Sequence, residues 1–189
     1  MKTIFTFSLF LMMSVLVNSQ DCDFEINQKD KFSGKVVKLI NPVTIAEKLK
    51  VSSDLKFVKI TWAMKQNGDQ LSALLEWRLS KGYVAMNGLA GTSLSVLLEN
   101  NEVLELKMTA PLPSTIKRGS KYYSQSEFRI TTDDFIKLSL YKISDIKVNA
   151  MINPFEIPVD PEAQPVVLEK TKCFTIITEE KKVKTLKEI

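Results

Sequence analysis

Histidine occurs nowhere in the 189 residues. Its absence excludes Ser-His-Asp and Cys-His catalysis and removes the commonest protein ligand for zinc, copper and haem. Cysteine is almost as scarce: Cys22 and Cys173 are the whole supply, too few for an all-thiolate metal site. Of six glycines, the closest pair, Gly88 and Gly91, precedes an expected strand. A phosphate-binding loop needs a helix behind it, so that context is wrong. An excess of one charge is lacking too. Lys and Arg number 26 against 22 Asp and Glu, a net +4 with the signs interspersed, which leaves no footprint for nucleic acid. No metal and no cofactor is expected.

A long apolar run occurs once, at the N-terminus. Lys2 gives a positive start, Ile4 to Val17 is apolar apart from Thr6, Ser8 and Ser14, and Val17-Asn18-Ser19 places modest side chains before Gln20. Residues 1–19 therefore read as a secretory signal peptide cleaved before Gln20. The run is short of the roughly 20 residues that span a bilayer. Asn18-Ser19-Gln20-Asp21 before Cys22 is not the Leu-rich box of a lipoprotein. Losing 19 of 189 residues leaves 170 and, with Lys2 gone, a net charge of +3. That length suits one domain with its own core. The reading is a single β-rich domain over 20–178, a charged tail over 179–189 rich in lysine, and a secreted or periplasmic location with no transmembrane segment in the mature chain.

Export gives the cysteines a purpose. In an oxidising compartment Cys22 and Cys173 are expected to pair, closing nearly the whole mature chain. On the chain-entropy model such a loop is worth up to about 5 kcal/mol. The alternative, a reactive thiol, has no histidine to activate it.

Alternation of apolar and polar residues marks the strands. Val58, Ile60, Trp62 and Met64 alternate before Asn67-Gly68, and Leu71, Ala73, Leu75, Trp77 and Leu79 after it. Asn-Gly predicts a two-residue type I′ turn with Gln66 opposite Asp69, Trp62 opposite Ala73, and Lys59 opposite Glu76. A second hairpin is expected from Leu94, Val96 and Leu98 against Leu104, Leu106 and Met108. It pairs Leu98 with Leu104 across a loop of Asn100, Asn101 and Glu102, one of them left-handed. Tyr83 to Met86 is a further short strand, Phe32 to Ile40 another, and Asn41-Pro42 is read as opening a short helix.

Tyr122 to Ile130 is expected to be a strand. Thr131 then caps a helix over 132–140, with Asp134 completing a capping box and Ile130 stapled to Phe135. Ile146, Val148, Ala150 and Ile152 alternate as one more strand, and Pro154, Pro158, Pro161 and Pro165 mark an extended connection. From Pro165 the spacing of Val166, Val167, Lys170, Cys173, Phe174 and Ile177 favours a helix over a strand. The fold class is mainly β: an antiparallel sheet or sandwich with one or two short helices, α+β at the margin.

Candidates for chemistry are few. Asp133 and Asp134 are explained by the helix N-terminus, and Glu76 by its cross-strand lysine. Asp21 and Asp23 have no loop of alternating ligands to suit calcium. Trp62 and Trp77, a conceivable sugar platform, fall on the apolar face of their hairpin and are read as core. The best exposed patch is Lys117, Arg118, Lys121, Tyr122 and Tyr123, basic and aromatic, suited to an anionic polymer or headgroup; a plain solvated loop is the simpler reading. The tail lysines 181, 182, 184 and 187 read as solvated charge.

Several stretches together resemble small exported proteins of Bacteroidota: the signal ending before Gln20, Asn100-Asn101-Glu102 within Leu94 to Leu106, Phe128-Arg129-Ile130-Thr131 running into Asp134-Phe135, and Ile143 to Val148. The resemblance implies an envelope or secreted location and carries over no catalytic residue. The functional expectation is an exported, non-enzymatic binding or accessory module with an unidentified envelope or extracellular partner. A carboxylate-dependent glycan hydrolase and a structural envelope component are the alternatives.

Overall fold

The computed structural model describes residues 22–50, 56–79, 93–110, 114–118, 121–149 and 154–174. The signal peptide, the strand expected at 83–86, the end of the strand expected at 146–152 and the charged tail lie outside them.

Among the described residues eleven strands form one antiparallel sheet. They are β1 (Phe24–Lys29), β2 (Val36–Ile40), β3 (Val43–Glu47), β4 (Phe57–Asn67), β5 (Gln70–Leu79), β6 (Ser93–Leu98), β7 (Val103–Met108), β8 (Ser114–Arg118), β9 (Lys121–Ile130), β10 (Ile143–Asn149) and β11 (Phe155–Pro158). Two short helices join them, α1 (Thr132–Leu140) and α2 over 163–174. Of the two β architectures expected, the single sheet is the one found. Its order is β1-β2-β4-β5-β9-β7-β6-β10-β11, with β3 also on β4 and β8 also on β9.

Both hairpins form, each with its register moved by two residues. In the first, Asn67 pairs with Gln70, Trp62 with Leu75 and Ile60 with Trp77, so the turn residues are Gly68 and Asp69. Gly68 alone has positive φ, at 60°, the type II′ pattern rather than I′. Asn67 stays in the ladder because β2 pairs with it: Val37 is opposite Asn67, and the Gly68 N–H donates to the Val36 carbonyl at 2.9 Å. Lys59 accordingly faces Arg78, and Glu76 faces Thr61, not the expected lysine. In the second hairpin Leu97 pairs with Val103 and Val96 with Leu104. The loop is 99–101, one residue earlier than expected, closed by the Asn101 N–H donating to the Leu98 carbonyl, with Asn101 left-handed at φ 66°. A shift of two keeps every apolar residue on its face, so alternation cannot distinguish these registers; the turns decide.

Other expectations are corrected where tertiary pairing intervenes. Phe32 is a fully exposed turn residue, not the start of a strand. Asp30 takes the Phe32 and Ser33 N–H groups on Oδ1 at 3.0 and 2.6 Å, which bends the chain between β1 and β2. Asn41-Pro42 opens β3 rather than a helix. There Val43 and Thr44 pair with Trp62 and Thr61, extending the edge that β2 began on β4. Within the proline-rich connection, Phe155 to Pro158 pairs with β10 as an edge strand, where proline is tolerated. α1 has the expected bounds and its capping box is complete: the Asp134 N–H donates to Thr131 Oγ1, and the Thr131 N–H to Asp134 Oδ2. α2 is a helix, as favoured. Asp160 caps it, accepting the Glu162 N–H at 3.1 Å, and Pro161 follows where its missing N–H is harmless.

The ladder defines one inner face. Ile60, Trp62 and Met64 of β4 lie across from Trp77, Leu75 and Ala73 of β5, and these from Ser124, Ser126 and Phe128 of β9. Met108 continues from Phe128; Leu104 and Leu106 meet Val96 and Leu94, which meet Ile146 and Val148 and then Ile157 and Phe155. Nearly all of these are buried. The sheet curls until its ends approach. Phe155 of β11 stacks on Phe57 of β4 at 5.3 Å, and the Asp160 N–H donates to the Ile45 carbonyl of β3 at 2.8 Å. α2 lies over the β1–β2 end, where Phe174 meets Phe24 edge-on at 5.7 Å and Lys170 Nζ donates to the Asn41 carbonyl.

Candidate functional site

Cys22 and Cys173 are paired at disulfide geometry, with Cα atoms 5.9 Å apart and χ3 of −92°. The bond joins the residue two before β1 to the last turn of α2, across 151 positions of sequence. Beside it, α2 and β1–β2 enclose a groove of about 340 Å³ lined by Ile40, Pro165, Val166, Lys170 and the two cysteines. Lys170 is held by Asn41, and the lining is largely apolar.

The basic and aromatic patch expected in a loop lies on the β8–β9 hairpin. Lys117 is at the register position opposite Tyr122, Arg118 opposite Lys121, and Tyr123 opposite Ile116. Tyr123 is half-buried. The side chains of Lys117, Arg118, Lys121 and Tyr122 are outside the described residues.

Described carboxylates with named partners are committed to structure. Glu127 takes Lys65 Nζ at 2.9 Å and the Ser72 hydroxyl at 2.6 Å on the outer face of β9. Glu105 accepts the Ser95 hydroxyl and, at longer range, Asn149. Asp134 caps α1 and Asp160 caps α2. Among the described residues three groups are shifted, and none is on the inner face. The Ser33 backbone N–H, with its hydroxyl, holds Asp30 below the ordinary carboxylate range. The hydrogen bond from Lys137 lowers Glu102, and the same bond raises Lys137.

What distinguishes the inner face is polarity without partners. Trp62 and Trp77 are buried as expected, at 2% and 1% exposure, yet neither indole N–H has an acceptor. Ser126, 2% exposed, has a hydroxyl without a partner, and the Oε1 of Gln66 is buried without one. Among the described residues these are the buried side-chain polar atoms left unpaired. All four belong to the inward alternation of β4, β5 and β9. Buried polar groups are nearly always hydrogen-bonded, and one left alone costs about 1–3 kcal/mol. Four on one face of three adjacent strands is a concentration that apolar packing does not account for.

The pairing clusters three of them. Leu75 has Trp62 across from it on β4 and Ser126 on β9, while Trp77 is two residues further along β5. Trp62 and Ser126 stand on either side of Leu75, two strands and so roughly 9–10 Å apart, with Trp77 diagonal to each. Chemically the cluster offers two indole donors and a hydroxyl in apolar surroundings. It holds no activated nucleophile, because an attacking serine needs a base on its hydroxyl and Ser126 Oγ has no hydrogen-bond partner.

Both tryptophans are on the face that alternation predicts, whereas Ser126 and Gln66 are not among the residues it singles out. A signal was present: from Ser124 to Ile130 the inward series is Ser, Ser, Phe, Ile, with hydroxyls where an apolar face is expected.

Among the described residues no helix is long and apolar enough to cross a membrane. Comparisons with protein-family models, with curated proteins and with solved structures find no match.

Proposed function

We propose that this chain is an exported binding module of the cell envelope or extracellular space that holds a ligand on the inner face of its curled sheet and does not transform it. The observation that carries the reading is the set of four unpartnered polar atoms on the inward positions of β4, β5 and β9. An interior built only for stability fills such positions with aliphatic side chains. Here the buried donors are matched by nothing in the protein, which suits a face completed by another molecule. The lack of a base on Ser126 and the structural employment of Glu105 and Glu127 favour binding over turnover. The Cys22–Cys173 pair fits an oxidising compartment.

The test is to express the chain from its first residue, fractionate the cells, and examine the recovered protein by native mass spectrometry. A mature species beginning at Gln20, outside the cytoplasm and carrying an organic adduct lost on denaturation, is the expected result. Retention in the cytoplasm, or a mature protein without any adduct, contradicts the proposal. Co-purification with the membrane without an adduct would favour the structural alternative.

A further inference from the structure

We propose that the β1–β2 hairpin is a membrane-surface anchor, in which Phe32 enters the headgroup region of an anionic bilayer and Lys29, Lys31 and Lys35 meet its phosphates. The inference goes beyond the inner-face reading and does not depend on it.

The arm comes first. From Asn27 to Val36 every residue is exposed, so the end of this hairpin stands clear of the sheet. Its turn is nonetheless braced from within. The Asp30 N–H donates to the Lys35 carbonyl at 2.8 Å, the Gly34 N–H donates to the Asp30 carbonyl at 2.9 Å, and Asp30 Oδ1 takes the N–H groups of Phe32 and Ser33. Gly34, left-handed at φ 69°, completes the bend. At its apex Phe32 is 101% exposed, as open to water as in a short peptide. A lone exposed aromatic needs no explanation, but this one has company. Antiparallel pairing brings the β4–β5 turn, the β6–β7 loop and both ends of α1 to the end of the sheet from which the arm projects. Among the described residues the exposed large hydrophobics Phe32, Val36, Val103, Ile136 and Leu140 all belong to that end; Val166, on α2, is the exception.

Charge selects the kind of surface. Lys29, Lys31 and Lys35 have no carboxylate partner among the described residues. The acids of the same end are mostly engaged. Asp30 holds the turn, Glu102 takes Lys137, Glu99 takes Lys142, Asp134 caps α1, and Asp69 is partnered too, which leaves Asp133. The unmatched charge is therefore three ammonium groups around an aromatic apex. A lysine stem can follow an apolar neighbour into the interface while its ammonium stays at phosphate depth. Each such lysine favours anionic lipid by about fivefold in partition. Shape decides between a membrane and a protein. The apex is convex, so a protein would need a matching pocket to cover it, whereas a fluid bilayer closes around it.

The mature, disulfide-bonded protein would be sedimented with vesicles of phosphatidylcholine alone and of equimolar phosphatidylcholine and phosphatidylglycerol. Partition into the mixed vesicles, weakened by salt, is the expected result. Phe32→Ser should lower it about tenfold or more, and Lys31→Gln about fivefold. Both side chains are exposed, so neither change should move the denaturation midpoint. Phe32→Trp should keep the binding, with an emission that shifts to the blue on mixed vesicles. The unsubstituted protein, whose Trp62 and Trp77 are buried, should show no such shift. No partition into either vesicle overturns the proposal, as does partition that Phe32→Ser leaves intact. Equal partition into both vesicles overturns the part given to the lysines. Binding to soluble dextran sulfate that equals vesicle binding and ignores Phe32→Ser assigns the lysines to an anionic polymer instead. Self-association lost in Phe32→Ser assigns the arm to a second copy of the chain. Either contradicts a membrane anchor. An adduct seen by native mass spectrometry is independent of these outcomes, so the inner-face reading stands or falls separately.

Discussion

Gly68 shows how one residue sets the placement of a hairpin. Asn67-Gly68 was expected to share a turn, but Asn67 is taken into the β2 ladder and only Gly68 keeps a positive φ, 60°. The space around its missing side chain is open to ordinary contact, the nearest atom being Lys35 Cδ at 3.5 Å, so the demand is conformational rather than steric. Gly68→Val should therefore destabilise by about 1 kcal/mol or more, read as a drop in the urea midpoint at unchanged slope. A neutral result would contradict the left-handed turn. Residue chemistry also fixes the response to pH. Asp30 and Glu102 are depressed in the fold, so what they contribute is fully present above their ordinary range and is lost as pH falls through their lowered values. Lys137 is raised, so its contribution is present below the ordinary lysine range and lost as pH rises through the raised value. With no histidine in the chain, stability should be flat between roughly pH 6 and 9 and decline on the acid side first. A transition near neutrality in a pH series of denaturation midpoints would show that a group outside this set controls the fold.

At the scale of elements, α1 was legible to its ends because its signals are local: Thr131, Asp134, and the buried Phe135 and Leu138. Thr131→Ala should cost about 1 kcal/mol by removing the cap on the Asp134 N–H, checked by thermal unfolding. Strand content was legible through alternation, and the faces were assigned correctly in both hairpins. Register was not, since two-residue slips leave alternation intact and the deciding contacts, such as Val37 with Asn67, come from distant sequence. β1, β3 and β11 were hidden for a related reason. They are four to six residues long, sit at or near the ends of the sheet, and are recruited by partners rather than by their own pattern. Pro42 and Pro154 obscured them further by marking breaks where strands begin immediately afterwards.

For the molecule as a whole, the Cys22–Cys173 bond ties β1 to α2 and so closes the chain around the sheet. Replacing both cysteines by serine should lower stability by up to about 5 kcal/mol on the chain-entropy model, and less if the unfolded chain is compact; equilibrium denaturation with and without reductant measures it. That pairing was readable from two cysteines in a chain expected to reach an oxidising compartment. The candidate site was only half readable. Trp62 and Trp77 were assigned to the core on pattern, correctly, but whether their N–H groups find acceptors depends on which strands lie alongside, and Ser126 gains its meaning only when β9 is placed next to β5. A ligand on the inner face, as proposed, would take up those indole N–H groups. That uptake is tested most directly by the two indole N–H resonances in a nitrogen-edited NMR spectrum of isotopically labelled protein recovered from its own host, before and after organic extraction. Both signals should move when the extract is removed and return when it is added back. Two resonances indifferent to extraction would contradict the account and leave the inner face a core like any other.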